Sequence, residues 1–308
     1  MEKLIDIESY PIQDTLNLLL QDKTTKKNII WATDAYAENG DGYLDRQEIS
    51  AVKLMNYPKL IKPRIEKTQE DQQDRTRKKA EVFTPAWLCN RMNNYCDESW
   101  FGRKNVFNIE NSDHTWDVVQ EKVEMPEGRT WKQYVDSRRL EITCGEGPFL
   151  VSRYDAATGR MIEPPKRRIG LLDRKLRIVN ENTDTCEDWL KWTIRAFEAS
   201  YGFEYQGDSL LIARINLLLT FIDYYEDRWK KEPDIKLLKK IANKIAWNIW
   251  QMDGFQDTVP LGMPPGEMYE PSLFDMGSDE IETDEAPYCR IQDWRDGSSI
   301  EYHQLKER

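Results

Sequence analysis

The sequence predicts an α/β fold: a parallel sheet flanked by helices, preceded by a helical N-terminal region of about eighty residues. Three observations carry this. Short apolar, β-branched runs alternate with longer helical patterns between residues 140 and 253, the order that builds a parallel sheet. The first of these runs is broken by a Gly-x-Gly turn, Gly145-Glu-Gly147. A hydrophobic content of 39%, with 11 Trp and 14 Tyr in 308 residues, supplies core for one large domain or two modest ones.

Taken in order, residues 1–22 space Ile12, Leu16, Leu19 and Leu20 along one helical face, and a second helix is expected over about 25–37. Asn39-Gly-Asp-Gly-Tyr-Leu-Asp-Arg-Gln-Glu48 matches the later positions of an EF-hand calcium loop, including Gly42 and Glu48. Its first ligand position falls on Ala37, which has no side-chain oxygen, and no second loop pairs with it. The expectation is a Gly-rich helix–helix turn. Lys59 to Lys79 reads as a solvated helix. Its basic end (Arg75, Arg77, Lys78, Lys79) is either a charged exposed face or a contact to DNA phosphates or a partner.

Thr84-Pro85 opens a helix through Met92, with Thr as N-cap and Pro in the first turn. Residues 99–136, rich in Trp and polar groups, are expected to be an irregular insertion, with His114 in a surface or packing role. Leu140 to Thr143 then forms a strand, and Pro148 sits where a helix would begin. Strand, Gly-x-Gly, helix brings bare backbone against a small molecule and offers a helix N-terminus to an anion. The stretch lacks the third glycine of the dinucleotide fingerprint and the Gly-Lys-Ser/Thr ending of a P-loop.

A turn at Arg153–Arg160, an amphipathic basic helix at Ile169–Val179 and a helix at Trp189–Ser200 lead to a second strand, Phe203–Tyr205. Its Glu204 follows the first turn by about sixty residues, where a compact nucleotide-binding unit needs roughly twenty, so an insertion of about two helices is required. Helices at Leu210–Tyr225 and Leu237–Trp247 and a third strand, Trp247–Met252, ending at Asp253, complete the pattern.

Composition removes several classes. No apolar run approaches membrane-spanning length and the N-terminus has no signal-peptide pattern, so a cytoplasmic protein is expected. Five cysteines without metal-site spacing, and two histidines, argue for reduced thiols and against structural zinc. The net charge of −11 lies mostly in residues 261–308, where twelve acids face four bases, a net of −8. The rest carries −3 (−11 minus −8), which permits a local basic face.

Glu141-Ile-Thr-Cys-Gly-Glu-Gly-Pro-Phe-Leu150 resembles the first motif of amino-group DNA methyltransferases. Val82-Phe-Thr-Pro-Ala-Trp-Leu-Cys-Asn-Arg-Met92 resembles the Phe-Thr-Pro segment that precedes it in the adenine-N6 class of type I and related restriction-modification enzymes. Tyr201 to Leu219, with Ala213-Arg-Ile-Asn-Leu-Leu218, resembles their second motif, and Asn248-Ile-Trp-Gln-Met-Asp-Gly254 the third. These four segments stand in the family's order over roughly residues 80–255.

The resemblance implies a Rossmann-like S-adenosylmethionine-dependent methyltransferase fold, S-adenosyl-L-methionine as cofactor, and a ligand at the C-terminal ends of the strands. It places Glu141, Cys144, Gly145, Glu146 and Gly147 along the methionine and ribose side, and Glu204 on the ribose. Asp253 would take the cofactor's adenine amino group, with Asp293 as rival, and Phe83, Thr84 and Pro85 the pocket floor.

The family's fourth motif, Asn/Asp-Pro-Pro-aromatic, directs the target amine and stacks on the flipped base. Met263-Pro-Pro-Gly266 and Glu163-Pro-Pro-Lys166 lack its oxygen and its aromatic. The chain ends at Arg308, about where the family would begin its fourth strand. Three explanations stay open: a split enzyme completed by a second polypeptide, a truncation, or a fold kept for binding only. The expected organisation is a helical region at 1–80, a cofactor-binding domain at 81–258 and an acidic, loop-rich segment at 259–308. DNA would be met through a complex. The alternative is a non-catalytic interaction or regulatory protein that retains the fold.

Overall fold

The structure, a computed structural model, describes residues 3–79, 84–266 and 284–306. In chain order its elements are α1 (Ile12–Leu19), α2 (Ala51–Asn56), α3 (Gln69–Lys79), α4 (Ala86–Phe101), β1 (Asn108–Glu110), β2 (Trp116–Val118), α5 (Trp131–Val135) and β3 (Arg139–Glu141). Then come α6 (Leu171–Asn182), α7 (Cys186–Glu198), β4 (Ser200–Glu204), α8 (Gly207–Trp229), α9 (Ile235–Asn248), β5 (Ile249–Gln251), β6 (Arg290–Asp293) and β7 (Ser298–Glu301).

The expected α/β class is present. β3, β4 and β5 form a parallel sheet in that order, with Leu140 opposite Tyr201 and Phe203 opposite Trp250. Two helices, α6 and α7, join β3 to β4, which is the insertion that the position of Glu204 required. α8 and α9 join β4 to β5. Both connections step across the sheet in the same direction, so right-handed crossovers place all four helices on one face. A single apolar core there unites Leu176, Trp189, Phe221 and Ile245 with Leu16 and Leu19 of α1. The other face is partly covered by the antiparallel hairpin β6–β7, whose Ile291 packs with Tyr201, Phe203 and Trp250.

α4 is tied to the chain on both sides of β3. The Asp97 carboxylate accepts from the Tyr134 hydroxyl at 2.8 Å just before β3 begins, and Asn93 donates to the Phe149 and Ile169 carbonyls beyond it. Pro85, not Thr84, is the N-cap of α4, and no side chain caps it, so the expected threonine cap is not formed.

Several local expectations were overturned by distant partners. No helix forms over 25–37. The Ile29 amide donates to the Leu20 carbonyl, Trp31 to Gln47 and Ile49 back to Ile29, which holds the segment extended against 45–49. The loop after it is two short 3-10 turns rather than a helix–helix turn, and the Lys53 ammonium donates to the Gly42 carbonyl at 2.8 Å. No helix starts at Pro148 either. A single turn closes at Val151, the chain loops out through residues 152–170, and α6 then stacks on that turn. The amides of Leu171 and Leu172 take up the Phe149 and Leu150 carbonyls. The helix is displaced by an excursion of the chain.

Candidate functional site

β3 and β4 end side by side at their C-terminal ends, the position where open parallel sheets bind ligands. The bend after β3 is left-handed at Thr143 (φ +45°), Gly145 (+53°) and Gly147 (+80°). For a β-branched residue such as Thr143 that conformation is costly, of a kind that collects at functional sites. The two glycines differ. A Cβ on Gly145 would meet open space, so this backbone is free to approach a ligand. A Cβ on Gly147 would touch Ala213 and Leu217 at 3.6 Å, so Gly147 packs against α8. Cys144 is buried, its amide bonded to the Phe203 carbonyl and its side chain beside Gly202.

The three glutamates near the bend have separate tasks. Glu204, buried at the end of β4, accepts from the Gly145 amide at 2.8 Å and from the Gln206 amide at 3.1 Å. An ionised carboxylate has about four acceptor directions, so capacity remains for a ligand. Burial raises the Glu204 pKa, opposed by the amides of Gln206, Gly145 and Tyr205. Glu141 turns the other way. Its carboxylate accepts from the Phe149 and Leu150 amides at 3.2 and 2.9 Å, binding the single turn that stands where a helix was expected. Burial pushes Glu141 up to about 8, against those two hydrogen bonds. Glu146 accepts from the Arg64 amide at 2.6 Å and the Tyr154 hydroxyl at 2.7 Å and is buried in that network.

Asp253 lies just past the end of β5, at the same end of the sheet. Its Oδ1 accepts from the Phe255 and Gln256 amides in a local turn. Its rival Asp293 sits at the opposite end. There it pairs with both carboxylate oxygens to Arg138, which precedes β3, while the Trp294 indole donates to Asn248, which precedes β5. Asp293 therefore does not share the crevice of Gly145 and Glu204. Thr84 and Pro85 are half-buried at the start of α4, where the next amide, Ala86, reaches Asp155 at 3.5 Å. Phe83 lies outside the described residues.

Of the basic end of α3, Arg75 is reassigned, whereas Arg77 is exposed and the side chains of Lys78 and Lys79 lie outside the described ones. Arg75 is buried, donating to Gln206 and Asp208, and Lys67 joins the same carboxylate at 3.2 Å. These cations and the Tyr36 hydroxyl hold Asp208 well below the usual carboxylate range despite its burial. Arg75 therefore supports the start of α8 instead of meeting a phosphate. A cavity of about 440 Å³ opens beside it, lined in part by Tyr36, Lys59, Lys62, Lys67 and Arg75 and by none of the residues that the resemblance assigns to the cofactor.

Two residues of α8 entered the sequence reading only as letters of the second motif and were given no task. Asn216 donates to the Glu146 carbonyl and to the Tyr154 hydroxyl, both at 3.1 Å, and so holds the bend from α8. Arg214, fully buried, donates to the carbonyls of Ile249, Leu19, Gln21 and Ala246. The available signal was the polarity itself, since Arg214 and Asn216 interrupt the apolar run Leu210–Leu219. In comparisons with known proteins, no family model, no curated protein and no solved structure matches this chain.

Proposed function

We propose that this chain is the S-adenosylmethionine-binding part of an adenine-specific DNA methyltransferase of a restriction-modification system, on a Rossmann-like fold, completed by a second polypeptide. The observation that carries the reading is the Glu204–Gly145 contact. An acid at the end of the middle strand meets the bare amide of a glycine bend at the end of its neighbour, with open space beside that glycine. The four resembling segments supply the rest of the argument.

These residues fit the cofactor in part. Glu204 would accept from the ribose hydroxyls, the Gly145 backbone would lie along the methionine side, and Asp253 would take the adenine amino group. Glu141, Glu146 and Gly147 would act one step back, by shaping the bend. The bound cofactor supplies a sulfonium methyl group for in-line displacement by an amine, and the protein's task is to position it. The Asn-Pro-Pro-aromatic group that would orient the amine has no counterpart among the described residues, so DNA contact and the target base are assigned to the partner.

Calorimetric titration of the full chain with S-adenosylmethionine tests the reading. Micromolar binding is expected, weakened about tenfold to a hundredfold in Glu204→Gln through loss of charged hydrogen bonds to the ribose, with the melting temperature as a fold control. No heat at millimolar cofactor would sink it. That result would favour the non-catalytic alternative, which one observation supports: the Ile30 carbonyl packs so closely on Gly207 that a Cβ there would lie 2.0 Å away, so the N-terminal segment is built into the ligand end of the sheet.

A further inference from the structure

A second cavity, of about 160 Å³, lies on the face of the sheet away from α6–α9. β6 crosses that face from Cys289, whose thiol donates to the Gln251 carbonyl at the end of β5, to Asp293 beside Arg138, just ahead of β3. The cavity lies between this hairpin and the strands. Leu140, Tyr201 and Trp250 form one wall, and Ile300, Tyr302 and Leu305 the other. An apolar cavity of roughly 150 Å³ is filled by one benzene ring. Tyr201 and Trp250 are buried, and the rings of Trp250 and Tyr302 have centroids 5.4 Å apart. Such walls favour a flat aromatic guest through offset and edge contacts.

One end of the cavity is not apolar. Arg138 lines it and donates from Nη2 to both oxygens of Asp293, at 2.9 and 2.8 Å, with its side chain 47% exposed. A guanidinium carries five donor hydrogens, so Nε and Nη1 can meet a second anion. Asp293 is already matched, by Arg138 and by the Arg295 amide at 2.9 Å. The ion pairs at this end join Arg138, Arg195, Arg295 and Lys244 to Asp136, Asp293 and Glu198, four cations to three anions among the described residues. Apolar walls with a few polar groups at one end are the usual form of a small-molecule site. We infer that this cavity binds a small aromatic monocarboxylate, its ring between sheet and hairpin and its carboxylate on the open donors of Arg138. The site lies at the opposite end of the sheet from Gly145 and Glu204, and the inference does not depend on the cofactor reading.

Saturation-transfer NMR on the full chain tests this with three probes: phenylacetate, its neutral counterpart phenylacetamide, and hexanoate. Phenylacetate is expected to bind with a Kd of about 0.1–1 mM. The amide should bind about tenfold more weakly, for want of a charge-assisted pair. Ile300→Trp fills the cavity and should abolish binding of the acid. Leu140→Phe, on the partly exposed facing wall, should do the same and serves where the first variant lowers the melting temperature. In Arg138→Gln the acid should bind no better than the amide. Equal affinity for acid and amide in the unaltered chain, undiminished binding in a folded, cavity-filled variant, tighter binding of hexanoate, or no binding of any probe overturns the inference. The titrations contain no S-adenosylmethionine, so their outcome is separate from that of the cofactor experiment.

Discussion

The two edges of one three-stranded sheet are finished in opposite ways. At β5 the outward carbonyls are taken by side chains from elsewhere: Ile249 by Arg214 and Gln251 by the Cys289 thiol. The Gln251 side chain also clasps the N-terminal segment, exchanging hydrogen bonds with both the amide and the carbonyl of Ile30 at 2.9 Å and donating to Tyr205. At β3 the corresponding groups of Leu140 face outward, flanked by exposed apolar side chains. Among the described residues, the chain thus closes one edge with its own side chains and leaves the other, beside the Gly145 bend, open.

The strongest way to break this comparison is at the closed edge. Arg214→Leu removes the donor of four buried carbonyls and should cost about 3 kcal/mol or more even after relief of the buried charge, read by urea denaturation. Gln251→Ala strips three backbone groups of partners and should cost about 2–3 kcal/mol. If either change proves neutral, the closed edge is not held as described.

Glu141 sharpens the comparison through pH. Its folded pKa of about 8 lies above the ordinary value of 4.5, so the native state holds a proton that the unfolded chain has lost. The associated stability is complete below about pH 4.5 and is lost as pH rises through about 8, at no more than about 1.4 kcal/mol per pH unit. Melting temperatures should fall over that interval, and Glu141→Gln should flatten the fall. The smallest effect belongs to the open edge. Leu140→Thr should change stability by no more than about 0.5 kcal/mol, and a cost matching that of Gln251→Ala would show that β3 is already covered.

What could be read in advance follows from the range of the forces involved. The three parallel strands and the helices between them were legible because apolar periodicity and glycine breaks are local signals. Of the site, the Gly145 bend and the end-of-strand acids Glu204 and Asp253 were legible in the same way. The inward turns of Glu141 and Glu146 were not, because their partners Leu150, Tyr154 and Arg64 lie in the turn after β3, in the looped-out segment and in the N-terminal region, and only the fold brings them together. Asp293 closes a strand-like run as Asp253 does, and only the course of β6, from Cys289 beside Gln251 to Asp293 beside Arg138, carries it to the opposite end of the sheet.

α6 marks the boundary between the two kinds of information. The sequence by itself determined a helix, read at Ile169–Val179 and formed at Leu171–Asn182, and its amphipathic pattern, since both depend on neighbours within a few turns. It read the basic residues as a polar face. The tertiary structure buries Arg174 against Asp97, Asn90 and Asn94, Lys175 against the carbonyls of Ser137 and Ala199, and Arg177 against those of Phe107 and Val119. A buried cation is tolerable only where acceptors converge on it. Those acceptors lie tens of residues away, so only the assembled fold could decide which charges face water and which hold the sheet to its helices.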